Sequence, residues 1–262
     1  MVIEDLKQVV SDNKGKGNSE YFRNLLKEKL QIYVLNFIYT SIYKDMIFTG
    51  GTCLRKFYGL ERISEDLDFD LEGNDFDFTK FQKDLSDYFI KKIGFKRFSL
   101  KFSQKTIFIK FPILKDIGFA GPNDSEILFL RLDFSFKEIN NRQTENRVYA
   151  KEGFTFIARC YDFNTLFANK VDAFLNRMYK KGSLQKVSFK GRDAFDLVWM
   201  LEEAKKTGIK VGLDDKIKKE ILAKAKKIKP NDLYNDLNSF FADTNFVKNF
   251  CDNYYSLLSS SL

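Results

Sequence analysis

Three aspartates stand at alternate positions shortly after a pair of glycines. Asp66, Asp68 and Asp70 lie in EDLDFDLE, and Gly50 and Gly51 lie in DMIFTGGT. On a β-strand alternate side chains share one face, so the three carboxylates would repel one another unless a cation neutralised them. Carboxylates in this arrangement are suitable ligands for a hard divalent cation such as Mg²⁺, which shares its ligands with substrate phosphates. The alternative is an exposed edge strand whose acids face water.

The glycine pair favours the metal interpretation. It follows a short apolar segment typical of a buried strand, and TCLRKFYG after it is typical of a two-turn helix that begins at Thr52. Glycines let the backbone come close to a ligand, and the free N–H groups at a helix start bind anions. The spacing matches neither a P-loop nor GxGxxG. The sequence therefore puts phosphate donors one short helix ahead of metal-binding carboxylates.

The composition excludes several other kinds of catalytic centre. The chain has 262 residues and no histidine, which removes Ser-His-Asp triads, Cys-His dyads and His-ligated zinc or iron. Its three cysteines, Cys53, Cys160 and Cys251, are too few for a four-cysteine zinc site, and their number fits a reducing compartment. Catalysis must therefore use carboxylates, Lys, Tyr, Ser or Cys.

The net charge of +8 is concentrated in the second half of the chain. Residues 205–229 hold ten lysines against three acids, and residues 177–192 hold six basic residues and no acid. Such segments favour a polyanionic partner, nucleic acid first, or are the solvated faces of helices. The sequence has no recognisable signal peptide and no stretch as long as a transmembrane helix. We therefore expect a cytoplasmic protein with no membrane partner.

The elements that would position these residues change from mixed to helical along the chain. Helical spacing of apolar residues predicts a helix over 19–43 and another over 78–93. Alternation predicts a hairpin over 95–117 and a strand over 125–138, whereas the polar segment 140–146 is expected to be a loop. From about residue 162 onward, four segments have helical period. The prediction is an α/β (α+β) arrangement followed by helices.

The order of these motifs resembles a known signature. A strand, Gly-Gly-Thr, a helix and then Arg-x-Ser-x-Asp-Leu-Asp-Phe is similar to the nucleotidyltransferase motif of the DNA polymerase beta superfamily. More narrowly, GGTCLRKFYGLERISEDLDFDL resembles the AbiEii/AbiGii toxin family of bacterial abortive-infection and toxin–antitoxin systems. The second motif of that family is matched by ANKVDAFLNR, with Lys170 and Arg177, and by KGRDAFDL, with Asp193 and Asp196.

The resemblance covers about residues 21–201, and this sequence differs from the family pattern at a few positions. Many relatives have a histidine where Glu61 stands, and Asp70 is not part of the usual pattern. The resemblance implies a nucleotidyltransferase-type mixed β-sheet core with flanking helices and a C-terminal helical domain. We expect an N-terminal helical segment over 1–45 that packs on the core, the core over 46–160, and the helical domain over 161–262.

The implied reaction is the attack of an acceptor hydroxyl on the α-phosphate of an NTP, with loss of pyrophosphate. Asp66 and Asp68 would hold Mg²⁺ or Mn²⁺, and the superfamily requires a third carboxylate on a neighbouring strand. Asp133 in LFLRLDFSF suits this role, because by period 2 it shares a face with Arg131 and Ser135. Asp133 could also accept the proton of the attacking hydroxyl.

The same resemblance implies nucleotide-binding residues in the glycine turn and the loop after it. Gly50, Gly51 and Thr52 would hold the β- and γ-phosphates through backbone N–H groups and one hydroxyl. Arg62 and Ser64 lie two and four residues before Asp66 and so can reach the same pocket. Alternatively these two residues support the loop, with Arg62 paired to a nearby acid.

The helical motif supplies the remaining candidates. Lys170 would bind the triphosphate, and Asp193 and Asp196 lie on one face of a helix because they are three residues apart. One of these acids would orient Lys170 or the acceptor and act in catalysis. For Asp196 an alternative is a structural ion-pair network around Arg177.

The resemblance implies a toxin that transfers nucleotides to RNA, with the 3′ end of tRNA as the expected acceptor and a cognate antitoxin as a possible partner. Nucleotidyl transfer to a protein or a small molecule is one alternative. A catalytically idle module that binds a nucleotide or a partner is another, although the intact Asp66, Asp68 and Asp133 count against it. The sequence assigns no role to Asp70 or to the lysine-rich segment 205–229, and does not specify the NTP.

Overall fold

Two helices precede the strands that carry the aspartates. Helix α1 spans Val2–Asp12 and helix α2 spans Ser19–Tyr39, four residues short of the predicted end. Helix α2 begins where the Asn18 side chain accepts a hydrogen bond from the backbone N–H of Tyr21. The computed structural model describes residues 2–137, 142–181, 184–187 and 189–262.

Seven strands and two short helices follow within the described residues up to Tyr161. Helix α3 continues directly into a π-helical turn over Leu54–Tyr58, and α4 continues into another over Tyr88–Lys92. In chain order these elements are β1 (Ile47–Thr49), α3 (Gly50–Cys53), β2 (Asp66–Leu71), α4 (Phe78–Asp87), β3 (Ser99–Ser103), β4 (Thr106–Pro112), β5 (Ile127–Phe136), β6 (Thr144–Lys151) and β7 (Phe154–Tyr161).

The strands form one mixed sheet in the order β3-β4-β5-β2-β1-β7-β6. Strand β2 lies in the middle, antiparallel to β1 and parallel to β5. In this register Asp68 stands opposite Thr49 on one side and Asp133 on the other. The sheet therefore brings two acids together that are far apart in the sequence.

The predicted hairpin is confirmed, because β3 and β4 pair antiparallel around a turn that includes Gln104. The prediction of a loop over 140–146 is wrong at its end, since β6 begins at Thr144 and pairs with β7 along its whole length. Strand β6 is an edge strand with only Tyr149 fully buried, so its side chains gave little apolar alternation to recognise. Residues 138–141 lie outside the described residues.

The face of the sheet opposite the acids is apolar and aromatic. Phe48, Phe69 and Phe134 stack across β1, β2 and β5, with ring centroids 5.3 Å and 6.0 Å apart. Helix α2 packs against β5 and β7. Full burial of each such side chain stabilises the fold by roughly 1.5–3 kcal/mol, so this layer fixes the strands on which the acids stand.

The chain divides into two compact units, Met1–Tyr161 and Asp162–Leu262. The second unit is mainly helical, and Phe195, Phe241 and Phe250 pack in its core with centroids about 5 Å apart. No helix among the described residues is both long and apolar enough to cross a membrane. The elements of the second unit are α5 (Phe163–Asn176), a hairpin of β8 (Met178–Lys181) and β9 (Leu184–Val187), α6 (Gly191–Thr207), α7 (Asp215–Ala225), α8 (Pro230–Leu237) and α9 (Thr244–Ser261).

Candidate active site

Asp66, Asp68 and Asp133, here called the acid row, lie on the polar face of the sheet, at the start of β2 and the middle of β5. Asp66 stands opposite Arg131, and Asp68 stands opposite Asp133. Thr106 of β4 donates a hydrogen bond from Oγ1 to Asp133 Oδ1 at 2.6 Å. The structure thus brings together Asp66, Asp68 and Asp133, the three predicted metal ligands, on two adjacent strands.

Arg131 occupies the space between two of these acids. Its Nη2 lies 3.0 Å from Asp66 Oδ2 and 2.7 Å from Asp133 Oδ2. Although partial burial would lower the pKa of Arg131, the charges of Asp66 and Asp133 outweigh it and raise that pKa. Sequence reasoning put Arg131 on the acid face but missed this pairing, because the register between β2 and β5 decides it.

The oxygen donors of the acid row suit a divalent cation. Within the described part of the chain, no group of three or more acidic or cysteine side chains is arranged as a metal cluster. The donors of the acid row are nevertheless all carboxylate oxygens, which Mg²⁺ and Mn²⁺ prefer. The Arg131 guanidinium, shared by Asp66 and Asp133, shows that this position already holds a positive charge.

The glycine turn comes into direct contact with the acid row. Gly50 has a φ of 76°, and a Cβ atom there would overlap the Asp68 carboxylate. A Cβ at Gly51 would lie 2.5 Å from Arg62 Nη2 and 2.9 Å from Ser64 Oγ. Both positions therefore require glycine, the first for its backbone conformation and its neighbour, the second for close packing.

The other predicted phosphate-binding side chains support the turn from inside. Thr52 is buried, and its hydroxyl donates to the backbone carbonyl of Asp66. Arg62 is only 2% exposed, and its Nη1 donates to the carbonyl of Ile63 at 2.9 Å. Ser64 is also buried, and its carbonyl accepts a hydrogen bond from Gln31 Nε2 at 2.8 Å. These three side chains therefore lie inside the fold and support the turn.

Asp70 belongs to a different network, at the far end of β2. Its side chain is 3% exposed and accepts a hydrogen bond from the Tyr161 hydroxyl at 2.9 Å. Its Oδ2 also lies 3.0 Å from Lys137 Nζ and 3.5 Å from Arg142 Nη1. Lys137 directly follows β5 and Arg142 lies two residues before β6, so Asp70 holds these two described residues near the end of β2.

The second motif forms a buried ion-pair cluster within the helical unit. Lys170 Nζ of α5 lies 2.6 Å from Asp196 Oδ2 and 3.6 Å from Asp193 Oδ1, both on α6. Arg177 Nε donates to Asp193 Oδ2 at 2.7 Å. Asp196 is 0% exposed, and Lys170 and Asp193 are also buried. The cluster ties the end of α5 to the start of α6.

Several basic residues of the two charged segments have structural partners in the helical unit. The guanidinium of Arg192 lies 4.7 Å from the centroid of the Phe240 ring. Lys205 donates to the carbonyl of Ser260 at 2.9 Å, and Lys224 donates to that of Leu175 at 3.1 Å. The side chains of Lys180, Lys181 and Lys186, which belong to the segment 177–192, lie outside the described residues.

Comparison with known families gives one match that spans most of the chain. Residues 40–254 match the model of the family described as nucleotidyl transferase AbiEii toxin, type IV toxin–antitoxin system. No curated protein matches the chain.

Two solved structures from Helicobacter pylori are similar to this chain. A candidate nucleotidyltransferase has a TM-score of 0.50 and 19% identity, and the alignment covers 90% of this chain and 94% of that one. The structure of JHP933 has a TM-score of 0.49 and 18% identity, with 90% of this chain and 92% of that one covered. At such identities the first of these likenesses supports the fold alone.

Proposed function

Because this chain belongs to the AbiEii nucleotidyl transferase toxin family of type IV toxin–antitoxin systems, we propose that it transfers nucleotides from an NTP to the 3′ end of an RNA. We further propose tRNA as the acceptor, the cytoplasm as the place of action and a cognate antitoxin as its partner. The observation that carries the chemistry is the acid row, where Asp68 stands opposite Asp133 with Asp66 beside them.

In this proposal the acid row holds the divalent cation, Mg²⁺ or Mn²⁺. Asp66, Asp68 and Asp133 supply the carboxylate oxygens, and the bound metal would supply positive charge to the attacking and leaving oxygens. Asp133 accepts the proton of the acceptor hydroxyl, whose oxygen forms a bond to the α-phosphorus of the NTP. The bond between the α-phosphorus and the bridging oxygen breaks, and pyrophosphate leaves with that oxygen.

The glycine turn binds the β- and γ-phosphates through the backbone N–H groups of Gly50, Gly51 and Thr52. This part of the proposal is supported by the requirement for glycine at both positions, because a Cβ atom at Gly50 or Gly51 would overlap Asp68 or Arg62. Arg62 and Ser64 contribute to nucleotide binding by holding the turn in place.

Lys170 provides positive charge for the triphosphate from the helical unit. The proposal is supported by Asp196 and Asp193, which lie 2.6 Å and 3.6 Å from its ammonium group and hold that group in position. Asp193 has a second role, because it also holds Arg177. We assign to Asp196 the orientation of Lys170.

A labelled-nucleotide transfer assay tests this function. The purified protein is incubated with Mg²⁺ and each α-³²P-labelled NTP in turn, with total RNA and then total protein as acceptor. Asp66→Ala/Asp68→Ala is the inactive variant, and Asp45→Ala/Asp75→Ala is the matched control that removes two exposed acids outside the acid row. We expect label on a tRNA-sized band with the wild type and the control, and none with the inactive variant.

The other outcomes of this assay decide between the alternatives. Label on protein, lost in Asp66→Ala/Asp68→Ala, would retain the chemistry and replace the acceptor. Equal labelling by the wild type and the inactive variant would contradict the assignment of the acid row. A wild type that binds NTP by equilibrium dialysis but labels neither RNA, protein nor small molecules would indicate a binding module.

A further inference from the structure

A basic cavity lies in the sheet-containing unit, and the proposed chemistry makes no use of it. The cavity has a volume of about 800 Å³ and opens between α1 and the turn that follows β4. Three exposed lysines line it, Lys7 and Lys14 from α1 and the segment after it, and Lys115 from the turn. Asp116 also lines the cavity, but Arg97 is paired with it. The cavity therefore carries an excess of positive charge.

Two partly exposed aromatic rings lie in the same cavity. Phe22 of α2 and Phe119 of the turn have ring centroids 5.9 Å apart at an interplanar angle of 34°. The guanidinium of Arg23 lies 5.4 Å from the centroid of Phe119. Aromatic faces beside lysine and arginine form the combination that binds single-stranded nucleic acid, since bases stack on the rings and phosphates pair with the cations.

The cavity lies beyond the end of the sheet that carries the acid row. The turn over 113–126 joins the end of β4 to the start of β5, where Pro112 pairs with Ile127. Strand β5 runs parallel to β2, and Asp66 at the start of β2 pairs with Arg131. Helix α2 passes the same end, because Lys27 Nζ lies 3.2 Å from Glu65 Oε2.

Strand β5, which begins after the turn that lines the cavity, reaches the acid row within a few residues. Along β5, Arg131 lies four residue steps from Ile127, and Asp133 lies six steps from it. At about 3.3 Å per residue these spans are roughly 13 Å and 20 Å. A single strand of a few nucleotides covers such a distance.

We propose that this cavity binds the single-stranded acceptor end of an RNA, a few nucleotides upstream of the 3′ hydroxyl that receives the nucleotide. One base stacks on Phe119 or Phe22, and Lys7, Lys14 and Lys115 contact the backbone phosphates. The inference rests on the proposed function, because it assumes that the acceptor is RNA.

RNA binding measured apart from transfer tests the cavity. A 5′-fluorescein-labelled single-stranded RNA of about twelve nucleotides is titrated with protein, without NTP, at several salt concentrations. For Lys7→Gln/Lys14→Gln/Lys115→Gln we expect affinity at least tenfold weaker and a salt slope shallower by about 2, since three phosphate contacts are lost. The matched control is Lys44→Gln/Lys80→Gln/Lys83→Gln, which removes the same charge from exposed lysines elsewhere in the unit and should bind within twofold of wild type.

The aromatic part of the site has its own test. Phe119→Leu keeps an apolar side chain but removes the ring, so binding should weaken by about tenfold. Phe119→Tyr should restore it, and the fluorescence quenching of a 2-aminopurine placed in the RNA should follow the same pattern. Thermal melts of each variant show whether a lost affinity comes from unfolding.

The results that would overturn the site are distinct from a failure of the proposed function. Equal weakening by the two lysine triples, or unchanged binding by the cavity triple, would reject the cavity. Asp66→Ala/Asp68→Ala should transfer no nucleotide yet bind the RNA at least as tightly as the wild type does, since it removes two negative charges beside the RNA. A wild type that labels protein but binds no RNA would reject the cavity and leave nucleotidyl transfer intact.

Discussion

At the scale of single residues, the acid row depends on a neighbour that has no side chain. Gly50 combines a φ of 76° with contact to the Asp68 carboxylate. We expect Gly50→Ala to lower the transfer rate by about 100-fold or more, since small displacements of catalytic groups have effects of that size. Gly73→Ala is the matched control, because Gly73 has a φ of 73° but open space around it. It should share only the backbone cost of about 1–2 kcal/mol in stability, and equal activities of the two variants would reject the explanation.

Arg131 is the residue whose removal should change metal binding most directly. Its guanidinium bridges Asp66 and Asp133 and therefore competes with any other cation. In the absence of NTP we expect Arg131→Gln to bind Mn²⁺ about tenfold more tightly, because an interaction between unit charges 4 Å apart reaches several kcal/mol before screening. Electron paramagnetic resonance of free Mn²⁺ measures this. Arg147→Gln, which breaks an ion pair with Glu145, should leave the affinity unchanged, and weaker binding by Arg131→Gln would contradict the competition.

At the scale of elements, the sequence predicted the helices and strands whose apolar residues repeat regularly within one short segment. The alternation of Asp66 and Asp68 with Leu67 and Phe69 identified β2, and the apolar spacing along 19–43 identified α2. The hairpin of β3 and β4 was predictable for the same reason. In each case the side chains that face the core repeat with the period of the element, so a short window of sequence contains the whole signal.

The features that the sequence did not reveal depend on contacts between distant segments. Asp70 is buried because three side chains from distant segments approach it. Lys137 follows β5, Arg142 precedes β6, and Tyr161 ends β7. The pairing of Arg131 with Asp66 likewise follows from the register of two strands about 65 residues apart. No periodicity within one element predicts which neighbour a strand will have.

Asp70 is expected to act on stability and not on metal binding. Asp70→Asn removes the negative charge that Lys137 and Arg142 share. We expect the free energy of unfolding to fall by about 2–3 kcal/mol, less than for a fully buried pair because both cations are partly exposed. Chemical denaturation measures the loss, and Asp75→Asn serves as the exposed control. Mn²⁺ affinity reduced as strongly as by Asp68→Asn would instead place Asp70 in the metal site.

The cluster between α5 and α6 permits a double-mutant cycle. Lys170→Met alone leaves the acids Asp193 and Asp196 with one counter-charge fewer in a buried place, so we expect a loss of about 3–5 kcal/mol. Lys170→Met/Asp196→Leu should recover part of this loss. With Asp196→Leu as the second single variant, we expect a coupling energy of about 0.5–3 kcal/mol.

The same cycle separates a structural role of Lys170 from a role in triphosphate binding. If Lys170 binds the triphosphate, the double variant should regain stability but keep a raised KM for the NTP. Recovery of both stability and KM would show that the lysine acts only through folding.

At the scale of the whole molecule, the absence of histidine shapes the response to pH. No side chain has an ordinary pKa near 6.5, so we expect the free energy of unfolding to vary by no more than about 1 kcal/mol between pH 6 and 8. Burial raises the pKa of the Cys53 and Cys251 thiols, so their titration in the unfolded chain begins to lower stability above pH 8, and tyrosines dominate the pH dependence above pH 10. Burial, with the charge of Asp70 nearby, raises the pKa of Tyr161 to about 12. Burial also raises the pKa of Tyr33, Tyr39, Tyr43, Tyr58, Tyr149 and Tyr254.

The direction of the alkaline effect follows from these raised pKa values. Above pH 10 an unfolded tyrosine loses its proton while the folded one keeps it, so stability present below pH 10 is lost as pH rises towards 12. Each such group contributes a loss of up to about 1.4 kcal/mol per pH unit. Urea midpoints at pH 7, 9, 10 and 11 measure the profile, and a midpoint that rises above pH 10 would contradict it.

The parallel pairing of β2 with β5 has a consequence for the timing of synthesis. Asp68 and Asp133 meet only after the chain between them has been made and β5 has joined the sheet. A nascent chain therefore leaves the ribosome with only two of the three acids of the row, and non-local strand pairing of this kind forms late in folding. For an enzyme with the proposed RNA acceptor, this order of assembly delays activity until translation of the sheet is complete, and a product truncated before Ile127 would be harmless to the cell that made it.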